Sequence, residues 1–182
     1  MPKNTVAPRY LASHYLTNVE QQLRKLKELG EKAFGQLSDE ARFHAVLDEE
    51  SNSIAVLIRH LSGNMISRWT DFLTTDGEKA NRQRDTEFAR DIQMTPDQLR
   101  EAWNKGWECL FEALATISPA DLQKSISIRG VEHSVLEAIQ RSLVHYSEHV
   151  GQIVFLAKHL EAKEWKPLSI PRGQSERFFR PK

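Results

Sequence analysis

Apolar residues recur along this chain at alternating steps of three and four, the repeat that gathers them on one face of an α-helix. From about Tyr10 to Leu37 these positions are Leu16, Val19, Leu23, Leu26, Gly30, Ala33 and Leu37, which predicts a first helix. From about Asn52 to Leu73 they are Ile54, Leu57, Ile58, Leu61, Met65, Trp69, Phe72 and Leu73, after a Ser/Asn start suited to an N-cap. Thr95-Pro96-Asp97-Gln98 reads as a cap followed by proline at the first helical position. Leu99, Trp103, Trp107, Leu110, Leu114 and Ile117 then carry a third helix to near Ser118-Pro119. The clearest pattern is the last, about Ser134 to Leu160, with Leu136, Ile139, Leu143, Tyr146, Val150, Ile153, Ala157 and Leu160. Four amphipathic helices without a parallel-strand pattern bury their stripes most economically against one another. The expected fold is therefore all-α, a four-helix bundle.

The segments between the helices are long. Residues 76–94, DGEKANRQRDTEFARDIQM, are polar with little apolar periodicity, and a connection of that length is either disordered or functional. LQKSISIRGVEHSV alternates polar and apolar residues around Arg129-Gly130, which predicts a short hairpin or extended excursion before the last helix. Long connections between the second and third helices, and between the third and fourth, allow crossovers. From about residue 165, the tail WKPLSIPRGQSERFFRPK reads as an extended arm packed on the bundle or on a partner subunit, with a disordered tail as the alternative.

The whole chain, 1–182, has the length of one domain. Hydrophobic residues at 40% and charged residues at 27% fit an ordinary globular protein rather than a disordered one. Twenty-five Lys plus Arg balance twenty-five Asp plus Glu, so no net field draws the molecule to nucleic acid or to an anionic membrane, and neither is an expected partner. The N-terminus lacks the apolar core of a secretory signal, and no stretch approaches the roughly 18 to 20 apolar residues of a membrane span, so a cytoplasmic location is expected. A single cysteine, Cys109, excludes an internal disulfide and a cysteine-rich metal site. Any metal would be held by nitrogen and oxygen.

His145 and His149 stand four apart in the last helix, hence about 40° apart in direction and one turn apart in height. Each precedes a core position, Tyr146 and Val150, so both rings should flank the buried seam. Taken alone the pair reads either as a grip on one ion or as a solvated, core-edge pair. It is not the H-E-x-x-H motif of zinc proteases, because Tyr146 follows the first histidine. His60 lies in the apolar stripe of the second helix, where its nitrogens need partners, either as a hydrogen-bonded interior histidine or as a third ligand. Gly63, on the next turn, would allow a neighbouring helix to approach closely. Cys109 has no adjacent basic group and reads as helix filling, and His14, His44, His133 and His159 stay outside the site. His159 is about 15 Å beyond His149 along the same helix, too far to share its ion.

Arg59-His60-Leu61 through Trp69, Asp76-Gly77-Glu78-Lys79, Arg82-x-Arg84-Asp85-x-Glu87-Phe88 and His145-x3-His149-x-Gly151-Gln152-Ile153 together resemble the DinB/YfiT-like metalloenzymes, and within them the DUF1572 subgroup. The likeness covers nearly the whole chain. It implies a bundle whose metal triad corresponds here to His60, His145 and His149. Relatives include thiol-dependent transferases and isomerases using low-molecular-weight thiols, while many members have no known reaction. Three neutral imidazoles leave a divalent ion an open position, as catalytic sites require. Such ligands suit zinc or nickel, and also iron or copper.

Asn64, Glu148 and Gln152 are candidates to orient an imidazole or bind a small-molecule substrate, and Arg82 and Arg84 in the charged connection could lid the site and hold a carboxylate or phosphate. No catalytic residue is singled out. The leading expectation is a divalent-metal-dependent enzyme, a thiol-dependent transferase ahead of a hydrolase. The alternative is a non-catalytic metal-binding, structural or stress-response bundle. A homodimer is expected from the resemblance and from the aromatic tail.

Overall fold

In the computed structural model, which describes residues 6–177, the helices are α1 (Val6–Phe34), α2 (Ala41–His44), α3 (Ile54–Trp69), α4 (Arg84–Glu87), α5 (Pro96–Ala115) and α6 (Val135–Glu161). One antiparallel hairpin, β1 (Ser125–Ile128) with β2 (Val131–Ser134), precedes α6. The all-α class stands, and the four long helices are the four that the apolar repeat predicts. The single turns α2 and α4 are too short for a repeat to announce.

Side chains fix where the long helices begin, because the first N–H groups of a helix have no partner within it. Ser53 accepts from the Val56 N–H at the start of α3. Thr95 and Gln98 cap reciprocally at the start of α5, with Pro96 next, and Ser134 and Glu137 do the same at α6. The polar faces end up outside, and the apolar stripes meet in one cluster. Leu23 of α1, Leu61 of α3, Trp103 and Trp107 of α5 and Ile153 of α6 are all buried in it, with Ile126 and Ile128 of β1 at its edge.

The main pairings are α3 with α5 and α1 with α6, while α3 also meets α6 and α1 also meets α5. The crossover expectation is thereby half corrected. The second and third long helices are direct neighbours, and the steps across the assembly are taken by the α1–α3 and α5–α6 connections. The reason lies in a close contact that the sequence argument attributed to the wrong glycine. A Cβ on Gly106 of α5 would come within 2.8 Å of the Ser62 Cα, so it is Gly106 that lets α3 and α5 approach. A Cβ on Gly63 would instead meet the Glu87 carboxylate at 2.2 Å. Gly63 makes room for an acid, not for a helix.

The hairpin turns through Arg129 and Gly130, both at positive φ, 56° and 73°. That geometry matches the twist of the strands but costs a non-glycine residue about 1–2 kcal/mol. Asp76 offsets the cost by accepting the Arg129 and Gly130 N–H groups, each at 2.8 Å, together with the Ser127 hydroxyl. These bonds hold the Asp76 carboxyl well below the usual carboxylate range, the Ser127 hydroxyl contributing most. Gly77 N–H donates to the Ser127 carbonyl at 2.8 Å. The polar 76–94 connection is thus ordered, tied at its start to the hairpin.

The C-terminal arm begins by packing on its own chain. Gln36 and the Lys166 backbone exchange hydrogen bonds of 3.1 and 2.7 Å, and Trp165 and Leu168 lie half-buried against the core. Phe178 and Phe179, the aromatic pair expected to reach a partner, lie outside the described residues. Among the described residues no helix is long and apolar enough to cross a membrane.

Two glycines in helix interiors separate close packing from helix propensity. Gly106→Ala should destabilise the protein by about 1–3 kcal/mol through overpacking against Ser62. Gly151→Ala, where an added Cβ has nothing within 4 Å, should stabilise it by about 0.5–1 kcal/mol. Urea denaturation of the two variants checks this, and a Gly106→Ala protein as stable as wild type contradicts the packing argument.

Candidate metal centre

The apolar stripe of α3 carries His60 into the seam facing α6, where it is 4% exposed. Its Nε2 lies 3.2 Å from His145 Nε2, and His149 Nε2 lies 3.0 Å from the same atom. All three nitrogens fall within 4.8 Å of one another. The expected trio therefore converges, with the two α6 histidines flanking the buried Tyr146 and Val150 as their spacing requires.

The far side of each outer ring decides what the near side offers. His60 Nδ1–H donates to Glu87 Oε2 at 2.9 Å, and His149 Nδ1–H donates to Gln152 Oε1 at 3.1 Å. A neutral imidazole with its proton on Nδ1 keeps a lone pair on Nε2. Two lone pairs thus point at His145 Nε2, which can donate to one of them at most. The other contact sets a lone pair against the ring without a proton, and a metal ion could complete the group. Tetrahedral zinc with Zn–N bonds of about 2.0–2.1 Å holds its nitrogens about 3.3 Å apart, and two of the three pairs here, at 3.0 and 3.2 Å, are close to that, while the third lies within 4.8 Å.

Electrostatics keep the α6 imidazoles neutral. Burial first, then the charges of His149, His60, Arg68 and Arg82, push the His145 imidazole down to about 3. Burial likewise lowers His149. Burial on its own would raise Glu87, but hydrogen bonds from His60 and Arg82 and the Arg82 charge outweigh it, so its carboxyl lies below the ordinary range. Glu87 consequently stays ionised, and a carboxylate behind Nδ1 makes a histidine both better oriented and more basic as a ligand.

Glu87 reaches His60 because the 76–94 connection folds over α3. Arg59, beside His60 in sequence but turned outward, donates to the Ile92 carbonyl at 3.0 Å and the Glu87 carbonyl at 3.1 Å, and also to the Ala89 carbonyl. Phe88 then covers His60, with ring centroids 4.7 Å apart. Arg82 binds both Glu87 oxygens at 2.8 and 2.7 Å and reaches Glu78 at 3.1 Å. Its guanidinium is therefore occupied, which corrects the expectation that it is free for substrate. Arg84 is exposed, 4.8 Å above the Phe88 ring, at the border of a cavity beside His60 and His145.

Of the other candidates, Gln152 hydrogen-bonds an imidazole. Asn64 does not: its Oδ1 accepts from the Tyr146 hydroxyl at 3.3 Å, and that hydroxyl in turn accepts from Trp69 Nε1 at 3.1 Å. The Tyr146 hydroxyl, pushed up to about 12 by burial, is a structural donor beneath the site. Glu148 makes no hydrogen bond to either histidine and borders the cavity, which has a volume of about 330 Å³. The sequence offered Glu87 only as one of the charges of a polar stretch and as part of the motif that carries the resemblance, with no role of its own. The signal that could have found it is Gly63 one turn past His60, a missing side chain beside a residue that needs a partner.

Residues 10–174 match the family described as "Protein of unknown function (DUF1572)", and the chain belongs to that family. No curated protein and no solved structure matches the chain.

Two measurements probe this arrangement. In the metal-free protein, His145 takes a proton near pH 6.5 when unfolded but only near pH 3 when folded. The unfolded state binds more protons between those values, so stability falls as pH drops from about 6.5 toward 3, and the effect is absent above 6.5. Denaturation midpoints should fall less between pH 7 and 4.5 for His145→Gln than for wild type, and equal falls would contradict the neutral-imidazole picture. Separately, Glu87→Ala leaves Arg82 buried without its main partner and should cost about 3–5 kcal/mol. A loss under about 1 kcal/mol would mean that the pair is solvated.

Proposed function

We propose that this protein is a divalent-metal-dependent enzyme in which His60, His145 and His149 hold the ion, and that it works as a thiol-dependent transferase on a small-molecule electrophile. The observation that carries the proposal is the convergence of three imidazole nitrogens, all within 4.8 Å of one another. The sequence resemblance to the DinB/YfiT-like metalloenzymes supports the choice of a thiol. Zinc or nickel suits the all-nitrogen donor set, with iron or copper compatible.

A divalent ion so held supplies Lewis acidity, which lowers the pKa of a thiol or water entering its open position. The chain's own residues do the rest. Glu87 and Gln152 hold two imidazoles in their ligating orientation. Phe88 and the ordered connection shut water out on the His60 side. The cavity of about 330 Å³ on the other side lies at the small-ligand end of the usual range. Glu148, which borders it, would take up the proton that the thiol gives up. A second copy of the chain would cover Val144 and Phe155, both exposed on α6, in the proposed homodimer.

The test is metal content and turnover of the untagged full-length chain, with glutathione or cysteine as thiol and 1-chloro-2,4-dinitrobenzene as electrophile. The expected result is about one divalent ion per chain and thiol-dependent turnover, both lost in His149→Ala with the circular dichroism spectrum unchanged. Glu87→Gln should weaken metal affinity by about 10- to 100-fold. Turnover that survives His149→Ala would overturn the assignment. Turnover of esters without thiol would point to a hydrolase, and bound metal with no turnover across a broad panel would leave a metal-binding bundle.

A further inference from the structure

We infer that the cavity beside the histidines is an oxyanion site, in which Arg68 and Arg141 bind a carboxylate or phosphate carried by the substrate. This rests on the reading of the cavity as the substrate site but not on the metal being present.

Two helical stripes build it. On α3, His60, Asn64 and Arg68 follow one another at steps of four, and on α6 so do Arg141, His145 and His149. His60 meets His145, so the histidines occupy one end of the seam, and both arginines line the same cavity. Arg68 lies about 12 Å along α3 from His60, and Arg141 about 6 Å along α6 from His145. A long guanidinium side chain spans much of that distance.

Arg68 is the unusual residue. It is 7% exposed, it forms no hydrogen bond or ion pair among the described residues, and its Nη1 is enclosed without an acceptor. Burial lowers its pKa and outweighs the opposing charges of Tyr146 and Glu78, while the Arg141 and Arg82 guanidiniums add smaller contributions in the lowering direction. A buried cation among cations, without its own acid, is costly to maintain unless an anion arrives. Arg141 is exposed on the cavity rim and has no ion-pair partner among the described residues.

The acids nearby are already engaged or too few. Glu87 is bound by Arg82 and His60, and Glu78 is shared between Arg82 and Arg129. Glu148 is the one carboxylate that lines the cavity, against five lining arginines. The net field is positive, and a planar guanidinium pair matches the geometry of a carboxylate or phosphate. The anion would be held one to two helical turns from the histidines, which makes it the part of the substrate that is recognised rather than the part that reacts.

Isothermal titration of inorganic phosphate and of succinate into the full-length protein, at constant ionic strength, tests the site in metal-free and zinc-loaded samples. Saturable binding is expected in the metal-free protein, weakened at least tenfold in both Arg68→Gln and Arg141→Gln and unchanged in Lys158→Gln. The tighter of the two probes identifies which oxyanion the substrate bears. Binding of neither probe, or binding that both arginine variants retain, would overturn the inference. If Arg68→Gln fails to fold, the exposed Arg141→Gln decides alone. Loss of zinc binding with anion binding intact would sink only the metal assignment.

Discussion

Three imidazole nitrogens crowd one buried seam, two of them about 3 Å from His145 Nε2 and all within 4.8 Å of one another, and that crowding is the constraint on which the site depends. His60 and His145, 85 residues apart in sequence, meet at 3.2 Å because α3 and α6 pack face to face, and His149 follows from being one turn away on the same helix. Glu87 and Gln152 then remove the remaining freedom by fixing which nitrogen of each outer ring faces inward. A single histidine in this seam could satisfy itself with one proton. Three so close together form a donor set that could hold a metal ion.

Half of the site's surroundings come from a segment that is neither long helix nor strand. The 76–94 connection is fastened at one end by Asp76 to the hairpin turn and at the other by Arg59 to its backbone carbonyls. Between those anchors Arg82 joins Glu78 to Glu87, and Glu87 joins His60. Such a charge chain is costly to bury, and every member is hydrogen-bonded, the condition under which a buried network rigidifies its surroundings rather than weakening them. The same chain leaves Arg68 out. Orientation of the ligands and the positive character of the cavity therefore come from one network: it uses its acids on Arg82 and His60 and leaves none for the neighbouring arginine.

The long helices and the hairpin were legible because burial imposes a period on sequence. Leu61, Trp103, Tyr146 and Ile153 are buried where the three-four repeat puts them, and Ser53 and Thr95 cap where a polar residue interrupts it. The stripes placed His60, His145 and His149 in or beside the buried seam, and it was the family resemblance that joined them into one trio. What the sequence did not yield is whatever depends on contacts without a period. Glu87 sits in a single helical turn, and its partner is 27 residues away. Gly63 was read as a helix contact because a missing side chain looks the same whether a helix or a carboxylate fills the space. Arg82 was read as available because a one-dimensional string does not show that Glu78 and Glu87 fold back on it. Asn64 had the right place but a different bond, because the Tyr146 hydroxyl beneath it is the nearer donor.

The central claim is that three imidazoles from two helices ligate one ion. X-ray absorption at the zinc edge, on the untagged full-length chain loaded with one equivalent of zinc, addresses it most directly. The account predicts a first shell of nitrogen and oxygen at about 2.0–2.1 Å with outer-shell scattering from three imidazole rings. A spectrum with one imidazole or none, like that of zinc held loosely at a protein surface, would contradict it.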